Sequence, residues 1–234
     1  MTVAETLFLL PGLMCDSAVW EHQRANLPDH ARIIVPDFRG FDSLTAMAEH
    51  VLSSAPDRYA VAGHSMGGRV ALELFNLAPD RVTRLALLDT GVHPKAAGEE
   101  EIRQVYIDLA KQGGMHAVAS KWIAPMVHPD RISDRDLIGR ITAMVERTTV
   151  EEFIGQVQAL LDRPDASPYL PRIQCPTLLL AGRHDTWSPP DQHEAMLKMI
   201  GHARLIIIEH AGHMAPMEKP EAVTNALREW LIRS

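Results

Sequence analysis

The sequence predicts an α/β protein in which a mostly parallel sheet, flanked by helices, is interrupted by an inserted helical cap. Three observations predict it. Strand-like and helix-like segments alternate from Thr6 to Asp89, strands vanish between about Val92 and Arg172, and the alternation resumes at Pro176. A chain of 234 residues is long enough for one domain carrying such an insertion. Residues 1–91 and 173–234 are therefore assigned to the core and 92–172 to the cap.

In the first half, Thr6–Leu10, Ala31–Pro36, Tyr59–His64 and Arg84–Asp89 are short apolar runs of strand length. Ala18–Asn26, Leu44–Ala55 and Met66–Leu77 separate them as helices. Four helices fill the insertion: Glu99–Lys111, Met115–Ala124, Ser133–Thr148 and Val150–Leu161. Gly113-Gly114, Pro125 and Pro129 punctuate them, and Ser133 with Asp136 is expected to form a capping box. A buried strand at Cys175–Gly182, a helix at Gln192–Ile200, a strand at Arg204–Ile208 and a final helix at Glu221–Ile232 complete the order.

Gly63-His64-Ser65-Met66-Gly67 stands between the Tyr59 strand and the Met66 helix. Gly-x-Ser-x-Gly in that setting is a sharp turn that holds one serine oxygen out in a strained conformation, at the positive end of a helix. The flanking residues are small because strand and helix backbones nearly touch there. A serine hydroxyl needs a base to take its proton and a third group to orient the base. Asp185 follows the Cys175–Gly182 strand and His213 follows the Arg204–Ile208 strand, so all three residues fall on one rim of a parallel sheet. Asp89 is the rival acid, and His64, His184 and His210 are rival bases. His213 is preferred because Gly212 precedes it, which is expected to let the chain turn the imidazole inward. Backbone N–H groups of Met66 and Leu13, the latter on the Pro11-Gly12-Leu13-Met14 loop, are the expected oxyanion donors.

With these residues assembled, the chain resembles the α/β-hydrolase superfamily nearly end to end. Leu10-Pro11-Gly12 with Trp20 resembles the family's His-Gly loop and following tryptophan, with proline in place of histidine. Val35-Pro36-Asp37-Phe38-Arg39-Gly40-Phe41-Asp42-Ser43 resembles the family's Asp-x-Arg-Gly-x-Gly-x-Ser stretch in a shortened form. Gly63–Gly68, Gly182–Asp185 and Gly212-His213 match its three catalytic segments. The resemblance implies a Ser65–His213–Asp185 triad without a cofactor. It also sets aside haloalkane dehalogenases and epoxide hydrolases, which place an aspartate where this chain has Ser65.

The expected reaction is hydrolysis of small to medium carboxylic esters or lactones. Met14, His64, Trp122, Met126, Met144, Phe153 and Trp187 are the candidate substrate contacts, with Val157 a further apolar candidate. The elbow Gly63–Arg69 also resembles that of enzymes that form the menaquinone precursor by eliminating pyruvate. That alternative, a C–C hydrolase or lyase on the same triad, calls for arginines facing an anionic substrate, and Arg39, Arg69 and Arg183 are its candidates. A hydrolase-like receptor is the least favoured reading, because every triad position is occupied.

A formal charge of −7 argues against nucleic acid or an anionic membrane as partner. Apolar runs are strand-sized, and no basic region precedes the first of them, so neither a membrane span nor a secretory signal is expected. Cys15 and Cys175 are read as buried thiols rather than a disulfide framework. No metal is expected, since His184, His210 and His213 with Asp185 and Glu209 lack helical ligand spacing. These features point to a cytoplasmic monomer or homodimer acting on a small molecule.

Overall fold

The computed structural model describes residues 5–27 and 31–232; residues 1–4, part of the N-terminal stretch read above, lie outside them. Strands β1 (Glu5–Leu10), β2 (Ala31–Ile34), β3 (Tyr59–His64), β4 (Val82–Leu88), β5 (Thr177–Gly182) and β6 (Arg204–Ile208) form one sheet. Its order is β2-β1-β3-β4-β5-β6, and every neighbouring pair is parallel. The chain starts at β1, moves to the edge at β2, then reverses to β3. That switch point opens a crevice beyond the C-terminal ends of β1 and β3, where open parallel sheets bind ligands. Pro11-Gly12-Leu13 and Ser65 leave the sheet there.

Helices α1 (Glu21–Asn26), α2 (Leu44–Ser54), α3 (Met66–Leu77), α7 (Pro190–Ile200), α8 (Ala215–Glu218) and α9 (Pro220–Ile232) accompany the strands. β3 and β5 are buried at every position, which is why Tyr59–His64 and Thr177–Gly182 read as continuous apolar runs rather than alternating ones. Each buried leucine of β5 contributes about 1.5–3 kcal/mol relative to exposure. The edge strands are partly exposed.

Several boundaries differ from expectation for local reasons. The second strand stops at Ile34, before Pro36, which has no N–H to give to a ladder. The Ala18–Asn26 helix begins as a 3-10 turn at Ser17–Trp20, because the Asp16 carboxylate accepts the Ala18 N–H at 2.8 Å. Both cysteines are free and half-buried rather than buried.

Between β4 and β5 the chain is helical: α4 (Glu99–Trp122), α5 (Arg135–Glu146) and α6 (Val150–Leu161), with short 3-10 turns between them. The two helices expected at Glu99–Lys111 and Met115–Ala124 join in α4 across a kink at Gly114, whose φ of 68° and ψ of −172° only glycine adopts readily. The Ser133–Asp136 capping box does not form. Asp134 caps α5 instead, accepting the Leu137 N–H at 3.1 Å. The reciprocal box sits at α6, between Thr149 and Glu152.

One carboxylate ties this helical segment together. Glu99, in the first turn of α4, takes Arg103 at 2.7 Å and Arg163, just beyond α6, at 2.7 Å. Burial works to raise the Glu99 carboxyl, but the two guanidiniums overcome it and lower the pKa from 4.5 to about 2. Its folded pKa lies below the unfolded value, so its contribution is complete above pH 4.5 and is lost as pH falls through about 2. Urea midpoints of the parent and Glu99→Gln should therefore differ at pH 6 and converge towards pH 2.5. A gap independent of pH would refute the linkage.

Candidate active site

Ser65 is the hinge between β3 and α3, with φ 54° and ψ −116°. A left-handed φ at a residue with a Cβ costs about 1–3 kcal/mol and survives only where surrounding contacts impose it. Here the Ser65 N–H donates to Leu88 O at 2.9 Å and the Thr90 hydroxyl donates to Ser65 O at 2.8 Å. The turn also requires glycine at position 67, where a Cβ would lie 2.2 Å from Leu10 O. That contact presses the start of α3 against the end of β1. On the same side, a Cβ on Gly12 would meet the Ser65 Cβ at 3.2 Å, so the Pro11–Leu13 loop runs directly past the serine.

His213 Nε2 lies 2.8 Å from Ser65 Oγ, and His213 Nδ1 lies 2.8 Å from Asp185 Oδ2. Both imidazole and carboxylate are buried. The other oxygen of Asp185 accepts the Trp187 and Ser188 N–H groups at 2.8 and 3.0 Å. Burial alone would raise the Asp185 carboxyl. The His213 charge and hydrogen bond, with those two N–H groups, hold it below the usual carboxylate value. An ionised carboxylate only accepts, so the imidazole donates through Nδ1 and its Nε2 lone pair faces the serine hydroxyl.

The segment carrying His213 is fixed from three directions. The buried Glu218 accepts the Gly212 N–H at 2.8 Å and the His128 N–H at 2.7 Å. The Met214 N–H donates to Met126 O at 3.1 Å. His64 Nε2 donates to His213 O at 2.8 Å. Gly212 is needed for closeness rather than for an unusual φ: a Cβ there would meet Val127 C at 2.8 Å.

The rivals separate in space. Asp89 is fully buried and accepts the Gly182 N–H at 2.8 Å, but its second oxygen is 4.0 Å from His64 Nε2 and has no hydrogen-bond partner. Burial, then the nearby Asp185 charge, push its carboxyl well above the usual value. Burial, then the charge of His213, push the His64 pKa down to about 3. His184 and His210 pack against His128, on exposed loops away from Ser65.

A small cavity of about 50 Å³ opens over Ser65 and His213. Its apolar wall includes Leu13, Trp122, Met126, Phe153, Val157 and Trp187. Three other expected contacts lie elsewhere. His64 is buried behind the serine, and Met144 lies on the buried face of α5. Met14 is buried with φ 57°, its N–H donating to the Gln156 side chain at 2.9 Å.

On its other side Ser65 faces a wider groove that includes Met66 and the arginines Arg69, Arg103 and Arg163. Of the three arginines singled out from the sequence, Arg39 is exposed and pairs with Asp37, and Arg183 pairs with Glu209 at 2.6 Å on the surface. Arg69 alone of the three lines the groove. One of its guanidinium nitrogens is buried without a hydrogen-bond partner, and burial, with the Arg163 charge, lowers its pKa to about 9. Gln156 and Glu218 escaped the sequence reading because neither sits in a motif. Gln156 bridges Met14 N and, at 3.3 Å, Phe38 O, tying α6 to both loops beyond the β1 and β2 strands.

No helix among the described residues is long and apolar enough to cross a membrane. The model of the alpha/beta hydrolase family matches residues 7–226. Among curated relatives, an (E)-2-((N-methylformamido)methylene)succinate hydrolase of Acinetobacter baylyi is 25% identical, over 97% of this chain and 90% of its own. A pimeloyl-[acyl-carrier protein] methyl ester esterase of Nitrosomonas europaea is 26% identical, over 92% and 91%. Among solved structures, a thermophilic esterase from Thermogutta terrifontis superposes with a TM-score of 0.89 at 32% identity, covering 97% of this chain and 89% of that one.

Proposed function

The chain belongs to the alpha/beta hydrolase family, and on that premise we propose that it is a serine hydrolase that cleaves small to medium carboxylic esters or lactones. The observation that carries this reading is the continuous relay from Ser65 Oγ through His213 to Asp185, with both links at 2.8 Å. Ser65 attacks the substrate carbonyl while His213 Nε2 takes the hydroxyl proton, and Asp185 holds the tautomer and stabilises the imidazolium. The N–H groups of Met66 and Leu13, on either side of the serine, receive the oxyanion. His213 then protonates the leaving oxygen, and in the second half of the cycle takes a proton from the water that releases the acid. Helices α4 to α6 act as a cap that shapes the pocket and limits water.

Arg69 narrows the substrate class. A buried guanidinium nitrogen without a partner, beside the nucleophile, suits a carboxylate on the substrate, because leaving it unpaired is costly. The Acinetobacter relative is named for a succinate. A second reading draws on the same arginine: a lyase in which the Ser65–His213 pair removes a carbon-bound proton from an anionic substrate.

The test is hydrolysis of p-nitrophenyl esters from acetate to dodecanoate, alongside a hemisuccinate ester, by the parent and Arg69→Met. Activity should peak at short acyl chains. Arg69→Met should raise KM for the hemisuccinate by about tenfold or more while leaving the acetate near parent level. No ester turnover above background would move the choice to the lyase. An equal effect of Arg69→Met on both esters would remove the carboxylate from the reading.

A further inference from the structure

Outside the Ser65 site, the fold gathers a second chemistry-bearing cluster from two separate segments. His128 precedes the 3-10 turn Pro129–Arg131, Asp130 lies in that turn, and His210 lies in the turn that follows β6. One potential ligand atom from each lies within 4.8 Å of the others. His128 is buried, whereas Asp130 and His210 are exposed. His128 Nδ1 stands 3.8 Å from the Asp130 carboxylate and its lone pair accepts the Asp130 N–H at 3.1 Å, a bond that a metal held at Nδ1 would displace. His184 lies edge-on to His128 with ring centroids 4.2 Å apart. The sequence grouped His184 and His210 with His213; the fold instead turns His213 to Ser65 and brings His128 into its place.

We propose that His128, Asp130 and His210 form a binding site for a divalent transition-metal ion, with the His184 ring packed beside it. Two imidazoles and one carboxylate suit Zn²⁺, Cu²⁺ or Ni²⁺, whereas Mg²⁺ and Ca²⁺ prefer all-oxygen ligand sets. The location gives the ion a mechanical role. His210 is three residues before His213, His184 adjoins Asp185, and His128 shares Glu218 with Gly212. A bound ion clamps the loop that carries His213 to the segment that leads to α5.

The test titrates tag-free, chelator-treated full-length protein with Zn²⁺ in a calorimeter, with Mg²⁺ as the comparison. Co²⁺ is added separately to read inner-sphere coordination from its visible absorption. The expected result is one Zn²⁺ per chain and no Mg²⁺ signal. His210→Asn and His128→Asn should each weaken Zn²⁺ by about tenfold or more, since losing a direct ligand costs at least what losing an outer-shell partner does. Asparagine tolerates the left-handed φ of 56° at position 210 and can cap the turn at 128, and circular dichroism verifies that both variants fold. His116→Asn, at an exposed histidine on α4, should bind as the parent does. Absence of Zn²⁺ binding, unchanged affinity in His210→Asn, an equal loss in His116→Asn, or equal affinity for Mg²⁺ overturns the site.

Discussion

Ser65→Ala should lower ester turnover by roughly 10⁴–10⁶-fold while the protein remains folded. The size of the effect follows from how little else near the carbonyl could attack it. Any residual rate is expected from substrate binding and from the proposed oxyanion donors, which do not need the hydroxyl. Folding should survive because the contacts that impose φ 54° at this position are backbone contacts and the Thr90 hydroxyl, none of which uses Ser65 Oγ. Alanine is no worse than serine in that conformation, and the lost hydrogen bond leaves His213 Nε2 beside an open cavity that water can reach. Turnover of the best ester and the near-ultraviolet circular dichroism spectrum, measured together, decide it. A folded variant that keeps more than about a hundredth of parental activity contradicts a serine nucleophile, because triad losses are far larger than that.

The parts of this arrangement that were legible beforehand are local or topological. Ser65 was readable because a strand, a five-residue turn and a helix are contiguous, and Gly67 announces the backbone contact with Leu10. Asp185 and His213 were readable because parallel strands put their C-terminal loops on one rim, whatever the distance in sequence. Side-chain direction was not readable. Met144, Met126 and Trp122 are equally apolar and equally helical or near-helical in the sequence, yet only the last two face the cavity. Pairing across the fold was also hidden. Arg39, Arg69 and Arg183 look alike until Asp37 and Glu209 are seen to occupy the first and third. The same holds for Gln156 and Glu218, whose partners are 142 and 90 residues away at Met14 and His128. Gly212 was identified for the wrong reason: the expected freedom in φ is unused, and the residue is small because Val127 passes against it.

Asp185→Asn should cost roughly 10⁴-fold in kcat, and Asp89→Asn much less, although both acids are buried at the ends of neighbouring strands. The difference lies in which protonation state each environment favours. Asp185 is held ionised by His213 and two N–H donors, so an amide there removes a charge that the imidazolium needs. An asparagine at 185 can still accept the Trp187 and Ser188 N–H groups, so the loop keeps its shape. Its NH₂ group, however, faces His213 Nδ1 as a donor and reverses the tautomer, which turns Nε2 away from its role as base. Burial and the Asp185 charge push the Asp89 carboxyl well above its usual value, towards the neutral form. An amide is close to an isostere of a neutral acid, and its oxygen can keep the Gly182 N–H at 2.8 Å. The two variants therefore pose one question in opposite directions: whether the charge that orients His213 comes from the loop after β5 or from the end of β4. Single-turnover rates on a p-nitrophenyl ester, with melting temperatures beside them, give the answer. A 10⁴-fold loss in Asp89→Asn with Asp185→Asn near parent level would hand the role of the acid to Asp89.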